Sequence, residues 1–164
     1  MYHSPVIERI TIDIADTLKT VRKVDGYAND FTVERIKVRG NTPTAGQTLI
    51  VVRQGANNRV GQSSQDTETW NQFYLINCYV DPAEDLTESP ESKMNRVMAD
   101  VEKVLTHTDQ SRNRAGLADD TTLISSTPFA DTGTGLFGCQ IQVLVTYQTK
   151  EHDPYTSRYT NINP

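Results

Sequence analysis

The sequence predicts an α+β fold in which a mixed or antiparallel β-sheet packs against two α-helices. Three observations predict it. From residue 138 onward, Cys139, Ile141, Val143, Val145 and Tyr147 alternate with Gln140, Gln142, Leu144, Thr146 and Gln148, the period of two of a half-buried strand. Between residues 90 and 107, Met94, Val97, Met98, Val101, Val104 and Leu105 recur at three- and four-residue steps, the stripe of an amphipathic helix. The order of elements is helix, two or three strands, helix, two strands. Strands segregated from helices in this way favour α+β layers over a doubly wound sheet.

The first helix starts at Ser4-Pro5, with Ser at the cap and Pro at the first helical position. Ile7, Ile10, Ile14, Leu18 and Val21 keep a helical period, although residues 10–14 alternate like a strand; length decides for helix, and Gly26 supplies the stop. Residues 31–39 are β-branched and apolar with a break in phase at Glu34-Arg35, the pattern of a bulge. A loop is expected over 40–46. Residues 48–53, TLIVVR, read as a strand buried on both faces. Residues 55–65 are polar and carry Gly55, Asn57, Asn58 and Gly61, so a long loop is expected there.

Residues 68–80 form the longest uninterrupted strand pattern, with Trp70, Tyr74, Ile76, Cys78 and Val80 on one face. Ser89-Pro90-Glu91 then opens the second helix with a cap and an early carboxylate. The connection from one to the other has the form of a βαβ crossover. A basic loop with Arg112 and Arg114 is expected over 110–118, a short strand over 121–125 and a Gly/Thr-rich connection over 128–138. The alternating strand that follows lacks Pro or Gly for about ten residues, which suits a central or near-central position. No repeat or linker divides the chain, so residues 1–164 are expected to form a single domain with a polar C-terminal tail from about residue 150.

A chain of 164 residues can bury a core without staples. Its hydrophobic share of 36% is low for a globular domain, so part of the polar surface is expected to be covered in an assembly. Sixteen basic against twenty-one acidic residues give a net charge of −5, which argues against a general grip on nucleic acid. Residues 1–5 carry no basic, apolar leader, and no stretch approaches the ~20 apolar residues of a membrane span. A soluble protein made in a cytoplasm is expected. Cys78 and Cys139 both fall in expected strands; a disulfide between them stays open, and burial as two reduced thiols is favoured.

No catalytic motif stands out. His3, His107 and His152 are not at ligand spacing from one another or from a Cys. His152-Asp153 falls in the polar tail, where solvation explains it better than acid–base chemistry. Asp119-Asp120 could ligate a divalent cation, but polar residues opening a strand are the simpler reading. Gly133-Thr134-Gly135 lacks the length and the Lys of a phosphate loop.

The amphipathic N-terminal helix, the aromatic strand WNQFYLINCYV, the helix ESKMNRVMADVEKVL and the closing strand IQVLVTYQT before DPY together resemble the tail terminator (tail-completion) proteins of long-tailed bacteriophages. The resemblance spans nearly the whole chain and lies in element order and texture. It implies a structural virion protein of the tail or neck, made in the host bacterial cytoplasm, with neither enzymatic activity nor a cofactor. It also implies a homo-oligomeric ring, six-fold in that family, that caps the tail tube protein and meets the head–tail connector protein. DNA would pass through the ring without specific binding. Arg59, Arg112 and Arg114 are expected to pair with carboxylates of an adjacent subunit or of the tube, and Tyr155 and Tyr159 to be buried between subunits. Two other classes stay open: a head-side connector or neck protein, and a small soluble enzyme.

Overall fold

The computed structural model describes residues 4–35, 46–64, 66–81, 88–131 and 136–158. Its helices are α1 (Val6–Lys19), α2 (Pro90–Thr106) and the single turn α3 (Asp109–Arg112). Its strands are β1 (Phe31–Glu34), β2 (Thr48–Ser64), β3 (Thr67–Val80), β4 (Asp120–Asp131), β5 (Leu136–Lys150) and β6 (Asp153–Ser157). The strands make one sheet in the order β1-β2-β3-β5-β4, with β6 paired to the end of β5. β1 runs parallel to β2, and every other pair is antiparallel. The fold is therefore α+β with a mixed sheet, as the sequence predicts.

β3 and β4 are both antiparallel to β5, so they are parallel to each other. The α2–α3 segment joining them is a crossover, with β5 inserted between the strands it connects. β5 holds an interior, near-central position, between β3 and the edge strand β4, as its unbroken alternation implies. Its register with β3 sets Cys139 opposite Cys78, Ile141 opposite Ile76 and Val143 opposite Tyr74. One face of the sheet is thereby made apolar, and both helices cover it. α1 contributes Val6, Ile10, Ile14 and Leu18; α2 contributes Val97, Val101 and Leu105, all fully buried.

Local chemistry accounts for the helix ends. Ser89 accepts a hydrogen bond from the Ser92 amide and Pro90 opens the first turn of α2, the cap its sequence announces. At α1 the cap position is Pro5, without a side-chain bond, and the helix stops at Lys19. Gly26, at φ 83°, ends a separate 3₁₀ turn over Lys23–Asp25 instead of α1. Asp100, a buried carboxylate on α2, fastens the chain after that turn. Its Oδ2 accepts from the amides of Ala28 and Asn29 at 3.0 Å and from Asn29 Nδ2 at 2.8 Å.

Three expectations are corrected. Residues 55–64 are not a loop: they continue β2 to Ser64, paired with β3 down to Thr67. The register shifts between Gln54 and Asn57, and again between Arg59 and Gly61, so the glycines that suggest turns accompany bulges in a polar strand. The short strand expected at 121–125 extends to Asp131, and the supposed connection at 128–138 includes the ends of β4 and β5. The polar tail does not leave the domain at residue 150. It turns at Glu151 and His152, the latter at φ 58°, and returns as β6 on β5. Residues 36–45 and Tyr159 lie outside the described residues.

One glycine is required by close approach. A Cβ on Gly138 would stand 2.2 Å from the Cys78 carbonyl oxygen and 2.6 Å from Phe129 Cζ. Gly138 pairs with Tyr79 on one side and Phe129 on the other. The two rings meet above it edge to face, with centroids 5.5 Å apart.

Candidate assembly interface

The structure scatters the residues expected to face a neighbour. Arg59 sits on the exposed outer half of β2 and pairs with Glu68 of its own hairpin, Nη2 to Oε1 at 3.2 Å. Arg112, on α3, donates from Nε to Asp120 Oδ1 at 2.9 Å. Both arginines remain about half exposed and can still take a second partner. Tyr155 lies on β6, 50% exposed, with its carbonyl accepting from Arg9 of α1.

Arg114 is the correction in this set. It is fully buried, so it cannot reach a carboxylate on another subunit. It occupies a left-handed backbone position, φ 50°, in the turn after α3. Its Nη2 donates to the Leu105 carbonyl at 2.7 Å, and its Nη1 stands 3.3 Å from Asp13 Oδ2. Leu105 lies in the last turn of α2, where carbonyls lack helical partners and a cation is favoured. Burial lowers the Arg114 pKa, and Asp13 opposes that shift. The residue is an internal tie between α1 and the end of α2.

Two open sheet edges were not legible as such in the sequence. Among the described residues, nothing pairs with β2 on its outer side beyond Val51, because β1 ends at Glu34. Residues 53–61 are all exposed. At the other end, among the described residues, β4 pairs only with β5 and its second edge is open. Each edge displays one large apolar side chain: Val60 is 60% exposed and Ile124 is 48% exposed. Both stand where the strand register shifts, Val60 between Arg59 and Gly61, Ile124 between Leu123 and Ser125.

The inner face of the outer hairpin is tied down by polar contacts. Gln54 Nε2 donates to Thr11 Oγ1 at 2.7 Å, and Tyr74 OH lies 3.1 Å from the same oxygen. Thr11 Oγ1 donates to the Ile7 carbonyl at 2.7 Å, and Tyr74 OH also reaches that carbonyl at 3.3 Å. Burial raises the Tyr74 pKa far above its ordinary value, so it stays a neutral donor. Farther out, Asn57 Nδ2 donates to Tyr147 OH at 3.1 Å, and Trp70 Nε1 donates to Thr149 Oγ1 at 3.2 Å. The polar half of β2 thus has a defined place over α1 and β5.

The remaining candidates for chemistry resolve into structure. Asp120 is taken by Arg112, and Asp119 Oδ2 accepts from Gln148 at 2.9 Å. Among the described residues no cluster of three or more His, Cys, Asp or Glu side chains could hold a metal ion. A cleft of about 480 Å³ lies beside Thr11, Arg35, Val52, Arg53 and Gln54, and Arg35 there is engaged bidentately by Glu8. Cys78 and Cys139 are free thiols, both fully buried and directly opposite across β3 and β5. No described helix is long and apolar enough to cross a membrane. No protein-family model matches the chain, and no curated protein matches it.

Proposed function

We propose that the protein is a structural virion component, a ring-forming tail terminator that caps the tail tube and joins it to the head connector. One observation carries the reading: the outer half of β2 is an exposed strand with an open edge. Residues 53–61 are exposed, and among the described residues no strand pairs with them on the side away from β3. A lone domain gains little from such an open edge, whereas a subunit in a ring can lay it on a neighbour.

The charge balance agrees with this role. A net charge of −5 lets like charge face a passing nucleic acid without gripping it. Arg59, Arg112 and Tyr155 remain available at the surface for contacts with neighbours or with the tube. The ring is six-fold on the strength of the family resemblance, and it forms alone or on contact with the tube. The reading is tested by co-sedimentation with purified tail tubes. The protein is expected to pellet with tubes in a saturable amount set by the number of tube ends. Binding along the tube wall in proportion to length, or no binding, overturns it.

A further inference from the structure

We propose that the outer edge of β2 in one copy of this chain pairs antiparallel with the open edge of β4 in the next. Closure of the resulting assembly rests on the ring reading above; the edge pairing itself rests on four observations. The edges match in length, since residues 53 to 64 make twelve positions and β4 has 12 residues. They also match in direction. β2 and β5 run one way, β3 and β4 the other. A second copy's β2 placed beside β4 therefore continues the antiparallel alternation.

Charge supplies the third observation. Residues 53–64 contain Arg53 and Arg59 and no carboxylate, while β4 contains Asp120 and Asp131 and no basic residue. Arg59 already pairs with Glu68 and Asp120 with Arg112, so the charges that favour unlike pairing over β2 on β2 or β4 on β4 are Arg53 and Asp131. The fourth is apolar. Full antiparallel overlap of 53–64 with 120–131 sets Arg53 opposite Asp131 and Val60 opposite Ile124. Val60 and Ile124 are the large exposed apolar side chains of their strands. Natural edges are commonly blunted by bulges, charges or Pro. β4 carries Pro128, which lacks a backbone donor and falls opposite Ala56 in this register, but the bulges at Val60 and Ile124 present an apolar side chain where a charge would oppose pairing. The contact joins unlike surfaces, so repetition generates a closed ring or an open filament.

The test uses Val60→Cys and Ile124→Cys, single and combined, with Cys78 and Cys139 buried and out of reach. After mild oxidation, a mixture of the two single variants is expected to give a cross-linked dimer that neither variant gives alone. The double variant is expected to give a ladder of linked species ending at the size of the ring, formed alone or in the presence of tail tubes. As a second readout, Ile124→Lys is expected to keep the wild-type circular dichroism spectrum and weaken self-association at least tenfold. Cross-links within Val60→Cys alone, or rings that form without any cross-link in the mixture, overturn the edge pairing and leave the ring reading standing. Linked open chains that never close support the edge pairing and overturn the ring. Protein that stays monomeric with and without tubes overturns both.

Discussion

Arg114 donates from Nη2 to the carbonyl of Leu105 at 2.7 Å, closing the last turn of α2 from inside the core. The same guanidinium lies against Asp13 of α1, so one side chain ties both helices to the turn that leads into β4. Arg114→Met keeps much of the volume and removes the tie. It is expected to cost ~2–3 kcal/mol, less than a fully buried ion pair because Asp13 is partly exposed. For a chain of this size that lowers Tm by roughly 4–12 °C. Calorimetry checks it, and an unchanged Tm would remove Arg114 from the core.

Asp13 gives a pH signature of the same contact. Burial raises its pKa above 3.8, the Arg114 charge opposes the rise and Asp16 adds to it. An acid with a raised pKa in the fold holds its proton more tightly there than in the unfolded chain. Its favourable contribution is complete below about pH 3.8 and is lost as the pH climbs through the folded midpoint. Carboxyl NMR is expected to place the Asp13 midpoint above 3.8 in the wild type and higher still in Arg114→Met. A midpoint that falls when Arg114 is removed contradicts the geometry.

Gly138→Ala is expected to be among the most damaging small substitutions in the sheet. The new methyl would overlap the Cys78 carbonyl, which belongs to the rigid backbone of β3, as well as the Phe129 ring. A loss of about 3 kcal/mol is expected. Phe129→Ala in the same chain should restore only part of it, because the carbonyl remains. Chemical denaturation of the single and double variants checks this, and full recovery in the double variant would place the conflict in the ring alone.

Val101→Asp sets a carboxylate on the fully buried face of α2. Burying a new carboxylate there is expected to cost on the order of 4 kcal/mol, with poor solubility. A variant that melts like the wild type would mean that the α2 stripe faces solvent.

Much of this architecture can be read from residue pattern, and the failures share a cause. α2 announces itself through Ser89-Pro90 and an unbroken apolar stripe; β5 does so through ten residues of alternation. Both rest on local pattern and on burial along one face. The outer half of β2 has neither. Its Asn57, Asn58, Gly55 and Gly61 favour turns, and strand geometry is imposed there by hydrogen bonding to β3. β6 is hidden for a related reason, since Asp153-Pro154 suggests a chain end while pairing to β5 makes it a strand. Arg114 reads as a solvated loop residue because nothing nearby in sequence reveals that its turn folds under α2. Charge and aromaticity single out Arg59, Arg112, Arg114 and Tyr155, which the fold does not bring together. The open edges come from strand order, which a list of side chains does not contain.

Electron microscopy of the purified protein, alone and mixed with tail tubes, tests the central claim most directly. Truncation after Arg158 is the informative companion, because it keeps β6 and the whole sheet, whereas cutting at Lys150 would remove a strand of the domain itself. The account predicts closed rings with a central hole, free or seated on tube ends, for the full-length chain. Full-length protein that forms no rings and leaves tube ends bare would contradict it.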